Sequence, residues 1–337
     1  MEKHKFKFVC LNIWVAILLV LCCLKINTIY YKIRSTTKKV VKYIEYVKLG
    51  KSIENENNPV LGDETTGSLF DPWILTNEMG GYQMYISSRK TSSIVLSYSS
   101  DGIIWSKDFI TCLESDNSTG WEDIINRACV IKMPDKYIMY YTGQSNNVSR
   151  IGYAESYDGK IFSRIQKDCI LQPEFFYEGS SVMNPSVIWD ETEGLFKMWY
   201  SAGEIYEPDV VCYATSKDGI HWEKYKYNPV FSRSGNFYDY SKVSVGQVIK
   251  NDNKYVMYYI GYQDIDTGYI CRAYSNDGKT NWLRDVNNPL VMPRLIGWNS
   301  ASCYKPSVIN KNDNNVFIYY NGRVNDKEYI GINIVEE

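Results

Sequence analysis

One short pattern of apolar and polar positions recurs five times along the chain. Each copy is a predicted strand in which aromatic residues accompany a central methionine or isoleucine, with a β-rich run before it and a third strand after it. The strand centres are Met84, Met139, Met198, Met257 and Ile318, which are 55, 59, 59 and 61 residues apart. A repeat of this length built from strands predicts a β-propeller with one antiparallel sheet per blade.

Four of the copies continue into a Ser-x-Asp-Gly sequence that predicts a tight hairpin turn before a fourth strand. These turns are residues 99–102, 156–159, 216–219 and 275–278. Asp-Gly is favoured in such turns because glycine accepts the positive φ that they require.

The fifth copy lacks this turn and a fourth strand. The sequence Asn-Pro-Val-Leu at residues 58–61 matches Asn-Pro-Val-Phe at residues 228–231, which ends the third copy. We therefore expect Pro59 to Leu61 to complete the blade of Ile318 and close the ring, which protects its sheet edges. Residues 57–337 are predicted to form one all-β, five-bladed propeller, which we expect to be monomeric.

The first 56 residues differ from the repeats in composition. Residues 1–7 form a short basic tail, and residues 8–26 are apolar except for Asn12 and Lys25. At about 1.5 Å per residue, a helix of this length nearly spans the ~30 Å hydrocarbon core of a bilayer. Because no small-residue cleavage site accompanies it, the segment predicts one uncleaved transmembrane helix rather than a signal peptide.

Residues 27–56 are predicted to be a basic linker. Val40, Val41, Ile44 and Val47 would share one face of a helix, which suits either a helix on the membrane surface or a solvated linker helix. Lysines flank the apolar segment on both sides, so the positive-inside rule does not fix the orientation. The shortness of the N-terminal tail favours a single-pass protein whose propeller lies on the exported side.

The charge distribution limits the classes of partner. Residues 1–56 carry 11 Lys and Arg against 4 Asp and Glu, whereas the remainder carries 26 against 35. Nucleic acid is not an expected partner of an acidic propeller, since phosphate binding needs a basic surface. With His4 and His221 as its two histidines and no C-x-x-C pair, the chain is expected to hold neither a metal site nor a Ser-His-Asp triad, and no cofactor.

Polar side chains are predicted to converge at the mouth of the central channel, where the innermost strand of each blade begins. The residues in equivalent positions just before these strand cores are Asp71, Arg127, Asn184, Val245 and Lys305. One carboxylate, two cations and one amide at one mouth are typical of a ligand site. The alternative for Asp71 is a turn-capping role within its Asp-Pro sequence.

Two further sets of repeated positions supply candidate ligand contacts. The aromatic–acid pairs upstream of the innermost strands include Trp121, Glu178 and Asp239, and the residues just after the methionine strands include Glu204 and Arg323. We expect Trp121, Asp239 and Arg323 to contact substrate.

An acidic loop follows the third methionine strand. Glu207 and Asp209 in this loop are weaker candidates than Glu204, because acidic loops are usually solvated and Glu204 has the register of the rim.

The five repeats, the Asp71-Pro72 start of the first blade and the strand pattern resemble the five-bladed propellers of glycoside hydrolase families 43, 32 and 130 over residues 57–337. The resemblance implies activity on glycosidic bonds. In the arabinanase and xylosidase group, a first-blade Asp is the general base, a second-blade Asp tunes the pKa and a third-blade Glu is the general acid. Asp71 matches the first position, but Arg127 and Asn184 occupy the other two slots. Glu178 or Glu204 would then have to supply the acid.

These sequence features are compatible with three functions. The first is a membrane-anchored glycoside hydrolase-like enzyme that acts on a glycan or polysaccharide with an acid and a base or nucleophile. The second is a glycoside phosphorylase-like enzyme, because Arg127, Lys305 and Arg323 suit a phosphate. The third is a non-catalytic, carbohydrate-binding propeller in envelope polysaccharide assembly, which the incomplete carboxylate set favours.

Overall fold

The aromatic–methionine strands lie second in each of five antiparallel blades, and one parallel pair, Ser149 with Ser181, joins blades 2 and 3. This computed structural model describes residues 52–62, 65–77, 80–251, 254–312 and 315–336. The predicted tail, membrane anchor and most of the linker lie outside these residues. In the part of the chain that is described, none of the helices has the length and apolar character needed to cross a bilayer.

The strands of each blade follow one another from the central axis outwards. Blade 1 consists of Leu69–Thr76, Tyr82–Ser88, Ser93–Ser99 and Ile110–Glu114. Blade 2 consists of Ile124–Lys132, Tyr137–Ser145, Val148–Ser156 and Ser163–Arg164. Blade 3 consists of Ser181–Asp190, Leu195–Gly203, Val210–Ser216 and Glu223–Lys224, with Phe231–Ser232 also paired to its third strand. Blade 4 consists of Lys242–Asn251, Lys254–Asp264, Thr267–Ser275 and Leu283–Arg284. Blade 5 consists of Ser302–Asn312, Asn315–Val324, Lys327–Glu336 and, from the other end of the described chain, Ile53–Glu54. Short 3-10 helices at Asn117–Thr119, Phe176–Glu178 and Phe237–Asp239 precede blades 2, 3 and 4.

A hydrogen bond between neighbouring blades explains the Asp-Gly turn and the aromatic that follows the central residue of the second strand in blades 1, 2, 3 and 5. The aromatic side chain donates to the carbonyl oxygen of the glycine in the turn of the next blade. The pairs are Tyr85–Gly159 at 2.7 Å, Tyr140–Gly219 at 3.1 Å, Trp199–Gly278 at 2.6 Å and Tyr319–Gly102 at 2.8 Å. A Cβ on Gly219 would lie 2.6 Å from the Tyr140 hydroxyl oxygen, so these contacts require glycine as well as its positive φ.

A second ring of hydrogen bonds joins the innermost strands to one another. One side chain of each innermost strand bonds the backbone of the next. These bonds are Trp73 Nε1 to Val130 O (2.8 Å), Val187 N to Cys129 Sγ (3.2 Å), Val248 N to Ser186 Oγ (2.8 Å), Val308 N to Gln247 Oε1 (2.6 Å) and Ile74 N to Ser307 Oγ (3.1 Å). The last of them links blade 5 to blade 1 and completes the ring.

The predicted pairing of Leu61 with blade 5 is confirmed, but the fourth strand of this blade lies further upstream, at Ile53–Glu54. Ile53–Glu54 pairs with Lys327–Glu336, and Leu61 pairs with Ile330. The pairing therefore begins upstream of residue 57, where the sequence placed the domain boundary. Leu61 is 2% exposed and packs among apolar residues of blades 1 and 5, so it seals the seam of the ring.

Candidate active site

A β-bulge at the same place in each innermost strand shapes the channel mouth. The strand register shifts between residues 70 and 73, 126 and 129, 183 and 186, 245 and 247, and 304 and 307. At four bulges a residue other than glycine has a positive φ: Asp71 (54°), Arg127 (57°), Asn184 (53°) and Lys305 (38°). Such backbone conformations cost of order 1 kcal/mol or more per residue and cluster at functional sites.

Side chains of the preceding blade hold these bulges in place. The acceptors for the bulge N–H groups are Asn321 Oδ1 for Asp71 (3.4 Å), Ser87 Oγ for Arg127 (3.0 Å), Thr142 Oγ1 for Asn184 (3.1 Å) and Ser201 Oγ for Val245 (3.0 Å). The side chains of Asp71, Arg127 and Asn184 are therefore aimed by a backbone that two blades fix together.

The structure brings Asp71, Arg127, Asn184 and Lys305 to one cavity of about 700 Å³ at this mouth. Arg323, the other cation predicted from the sequence, lines the same cavity. Val245, the fifth bulge position, is buried and apolar.

Asp71 combines burial with an incomplete set of partners. It is 5% exposed, its Oδ2 lies 3.8 Å from Arg127 Nε, and this oxygen accepts no hydrogen bond from the described residues. Burial raises the pKa of Asp71, although Arg127, Lys305 and Arg89 act in the opposite direction. The carboxyl group therefore keeps its proton to a higher pH than an exposed aspartic acid does.

Lys305 and Asn184 provide a donor and an acceptor beside this carboxyl group. Lys305 is 1% exposed, and its Nζ donates to the carbonyl oxygen of Gly246 at 2.9 Å. Burial lowers the pKa of Lys305 to about 8. Asn184 donates from Nδ2 to Ser244 Oγ at 2.5 Å, whereas its buried Oδ1 accepts no hydrogen bond from the described residues.

Four carboxylates that the sequence ranked low or missed also line the cavity, namely Glu207, Asp266, Asp326 and Glu328. Glu207 lies in the loop after the second strand of blade 3, and burial together with the nearby Glu204 raises its pKa. Glu328 accepts a hydrogen bond from Arg89 Nη2 at 2.6 Å, and burial raises its pKa as well. The register of the hairpin loops could have identified Glu207, but Glu328 follows a turn without a motif.

Glu204 does not belong to the described lining of this cavity. Its carboxylate accepts a hydrogen bond from Lys242 Nζ at 3.0 Å, and the same ammonium lies 3.2 Å from Asp209. Lys242 also donates to the carbonyl oxygen of Glu207 at 2.8 Å. Lys242 thus holds the loop so that Glu207, rather than Glu204, reaches the cavity.

The structure does not bring Glu178 to the cavity. Its side chain is fully buried within blade 3, where Oε1 accepts from the Tyr200 hydroxyl at 2.9 Å and Oε2 accepts from Lys224 Nζ at 2.9 Å. The backbone N–H groups of residues 174 and 175 donate to Oε2 as well. Four hydrogen bonds from the same region of the chain therefore already engage this carboxylate.

Asp239 and Trp121 also serve their own blades. Asp239 is fully buried and accepts from the Tyr259 hydroxyl at 3.2 Å and from Arg284 Nε at 2.6 Å. Trp121 stacks on Tyr141 with ring centroids 6.1 Å apart. The aromatic–acid pairs recur because each blade needs the same internal support, which explains why their repetition resembles a ring of ligand contacts.

Relatives with similar sequences are few and partial. No known protein-family profile matches the chain. A 1,2-beta-oligomannan phosphorylase of Thermoanaerobacter sp. (strain X514) is 32% identical over 196 residues, which span 57% of this chain and 56% of that protein. An uncharacterized protein of Mycobacterium tuberculosis (strain ATCC 25618 / H37Rv) is 32% identical over 106 residues, which span 28% of this chain and 34% of that protein. The chain thus matches about half the length of the first relative and a third of the second.

Solved structures are similar over most of the chain. A glycoside hydrolase has a TM-score of 0.68 at 17% identity and covers 88% of this chain and 94% of its own. A second structure has a TM-score of 0.66 at 15% identity, with coverages of 83% and 93%. Its description states that family 130 of mannoside phosphorylases contains glycoside hydrolases that target beta-1,2 mannosidic linkages in Candida mannan. A thermostable family 43 glycoside hydrolase has a TM-score of 0.63 at 19% identity, with coverages of 83% and 91%. The chain therefore has the propeller fold that is shared by glycoside hydrolase-like proteins of families 130 and 43.

Proposed function

We propose that this protein cleaves glycosidic bonds of a mannan-type glycan in the cavity at the propeller mouth. The observation that carries the proposal is the environment of Asp71, a buried carboxyl group on a strained bulge. Its Oδ2 accepts no hydrogen bond from the described residues, and cations and further carboxylates line the same cavity. The oligomannan phosphorylase among the relatives supports the choice of a mannan-type substrate.

The rim of the cavity suits a sugar ring. Tyr206, Ile124 and Ile265 line it from three different blades and are 64%, 51% and 60% exposed. Exposed apolar side chains around a polar pocket mark binding surfaces, and a tyrosine ring can pack on the apolar face of a sugar. Below them, Lys305 and Asn184 offer a donor and an acceptor to sugar hydroxyls.

Asp71 is better suited to donate a proton than to accept one, which reverses the role of base that the sequence resemblance implied. Cleavage requires a proton for the departing glycosidic oxygen, and an acid with a raised pKa supplies it near neutral pH. In a hydrolytic reaction Glu207, from blade 3 and less buried than Asp71, would accept the proton of the water that attacks the anomeric carbon. The carboxylate pair is then Asp71 and Glu207 instead of Asp71 with Glu178 or Glu204.

The test is Asp71→Asn, assayed by release of mannose from β-1,2-linked mannooligosaccharides. Asparagine has the same shape and tolerates a positive φ, so the fold should be kept. Loss of a general acid lowers turnover by roughly 10²–10⁴-fold. In the wild-type protein, turnover should fall as the pH rises through the raised pKa of Asp71. Asp116→Asn, at the N-cap of a 3-10 helix and outside the lining of this cavity, is the matched control. Wild-type turnover by the Asp71→Asn variant would refute the assigned role.

Phosphorolysis is the second candidate, because Arg89, Arg127, Lys305 and Arg323 line the same cavity. The same assay with and without inorganic phosphate separates the two reactions. Mannose 1-phosphate formed only with phosphate would establish phosphorolysis, and free mannose in both cases would establish hydrolysis. Intact binding without turnover across a broad glycan panel would identify a non-catalytic binding propeller.

Membrane attachment is a separate proposal that rests on the apolar run of residues 8–26. We propose a single-pass anchor with the propeller on the exported side. Membrane fractionation with alkaline extraction tests the anchor, and protease accessibility in intact cells tests the side. A mature protein that begins after residue 26 and fractionates as soluble would contradict the anchor.

A further inference from the structure

A second cavity, of about 530 Å³, opens between blades 2 and 3. Residues 168–174, which connect the two blades, line one part of it, and Trp222 and Lys224 of blade 3 line another. The cavity at the channel mouth, which contains Asp71, is called the axial cavity below. Among the described residues, its lining and that of the second cavity have no member in common. The second cavity is therefore a separate place in the fold.

In blades 3, 4 and 5 the corresponding place is filled by an Asn-Pro segment. The asparagine side chain bonds both the N–H and the carbonyl group of one residue in the third strand. The pairs are Asn228 with Tyr213 at 2.8 and 2.9 Å, Asn288 with Arg272 at 2.7 and 2.8 Å, and Asn58 with Ile332 at 2.8 and 2.8 Å. This segment acts as a plug beside the outermost strand.

Blade 2 departs from this arrangement. Asp168 and Cys169 stand four and five residues after Arg164, where blade 3 has Asn228 and Pro229 after Lys224. An ionised carboxylate has no N–H to donate to a backbone carbonyl group, so Asp168 cannot reproduce the pair of hydrogen bonds that asparagine makes. It is exposed and lines the cavity instead.

The path of the chain is otherwise unchanged. Leu171 pairs with Ile151 as Leu61 pairs with Ile330 in blade 5. The space beside the segment is therefore a local exception to the arrangement of blades 3, 4 and 5. Such exceptions, which give up stabilising contacts, are expected at functional sites.

The chemistry of the lining indicates what the cavity would hold. Two tryptophans, Trp121 and Trp222, lie among two cations and two carboxylates, which are Arg150, Lys224, Asp168 and Glu174. Lys224 Nζ is already engaged by the carbonyl oxygen of Gln172 at 2.7 Å and by Glu174 at 3.1 Å. Balanced charge disfavours a strongly ionic ligand, whereas donors and acceptors beside aromatic rings suit hydroxyl groups around an apolar ring face.

We infer that this cleft is a second glycan-binding site, which takes one or two units of a neutral sugar chain. Its volume lies within the range of small-molecule sites, roughly 300–1,000 Å³. The inference rests on the proposed function only in the choice of a sugar as the ligand. A long glycan held here would stay close to the protein between cleavage events at the axial cavity.

Cys169 provides a direct readout of occupancy. It lines the cleft and is partly exposed, whereas the other cysteines among the described residues are buried. In full-length Asp71→Asn protein, maleimide labelling of Cys169 would be followed by peptide mass spectrometry with and without β-1,2-mannotriose. The labelling should be done above neutral pH, because burial raises the pKa of the thiol. At ten times the Kd of the sugar, mass action predicts labelling about ten-fold slower.

The matched variant combines Asp168→Asn with Cys169→Pro, which introduces the Asn-Pro sequence of blades 3, 4 and 5. Calorimetric titration in the Asp71→Asn background should show loss of the cleft site, and the Tm should not fall. Arg150→Ala is a second variant that leaves the plug sequence untouched, and it should weaken binding.

Two results would overturn the inference. One is unchanged Cys169 labelling in millimolar mannose-, glucose- and xylose-based oligosaccharides. The other is unchanged sugar binding by the Asn-Pro variant. If no glycan is cleaved while Cys169 remains protected, the proposed enzymatic function fails and the cleft site stands. If glycan is cleaved while Cys169 is not protected, the cleft site fails and the enzymatic function stands.

Discussion

Replacement of Glu178 by glutamine tests whether this carboxylate supports blade 3 or takes part in catalysis. Glu178 is fully buried and accepts hydrogen bonds from Tyr200, Lys224 and two backbone N–H groups. The Lys224 side chain is 6% exposed. Glutamine keeps the shape of the side chain, but it removes the negative charge beside this ammonium group and turns an amide donor towards other donors.

The expected loss of stability follows from these contacts. Removing one partner of a buried ion pair costs about 3–5 kcal/mol. Lys224 keeps Glu174 at 3.1 Å, and glutamine still accepts part of the original set, so we expect the lower end, about 3 kcal/mol. For a domain of this size, 1 kcal/mol shifts the Tm by about 2 °C, so the Tm should fall by about 6 °C.

The assay is thermal unfolding followed by circular dichroism, with kcat measured on the same preparations well below the transition. Glu122→Gln is the matched control, because Glu122 occupies the same position in blade 2. It accepts from the Tyr141 hydroxyl at 2.8 Å and from Arg164 at 2.8 and 3.0 Å. Both variants should lose stability to a similar extent and keep the kcat of the folded protein.

The opposite pattern would refute this reasoning. If Glu178→Gln has the Tm of the wild-type protein but a lower kcat, while Glu122→Gln keeps the wild-type kcat, Glu178 is catalytic. Blade 5 already contains the amide naturally, since Asn299 donates to the Tyr320 hydroxyl at 3.2 Å. In blade 5, Glu54 stands at the position of the fourth strand where blade 3 has its cation, Lys224. The amide is thus present where no cation needs a counter-charge.

Three further outcomes are expected. Leu61→Ala should destabilise the propeller by about 2–4 kcal/mol in urea unfolding, because it opens a cavity at the closing seam; a loss well below that range would contradict a stabilising role for the closing segment. Tyr140→Phe should cost about 1 kcal/mol by the same measurement, since it removes the bond to Gly219, and an unchanged midpoint would argue against that bond. Burial lowers the pKa of Lys305 from 10.5 to about 8, so the unfolded chain binds more protons between these values. Wild-type stability should therefore rise with pH across this window relative to Lys305→Met, and parallel curves would refute the shift.

The sequence by itself determined the number of blades, the order of their strands and the closure of the ring. This was possible because strands and hairpin turns are encoded by neighbouring residues, and five copies of one pattern reinforce each other. It also placed Asp71, Arg127, Asn184 and Lys305 at one mouth, since equivalent positions in a ring of repeats must face the same axis.

Only the tertiary structure decided which repeated acids face a ligand and which support a blade. The bonds of Glu178 reach Tyr200 and Lys224, which are 22 and 46 residues away, and no local pattern specifies those partners. Likewise, Glu207 reaches the axial cavity because Lys242 of the next blade holds its loop. The exchange of Asn-Pro for Asp168-Cys169 is visible in the sequence, but the cavity beside it depends on side chains of two blades. Strand order follows from local periodicity, whereas the environment of a polar side chain depends on residues that folding alone brings near.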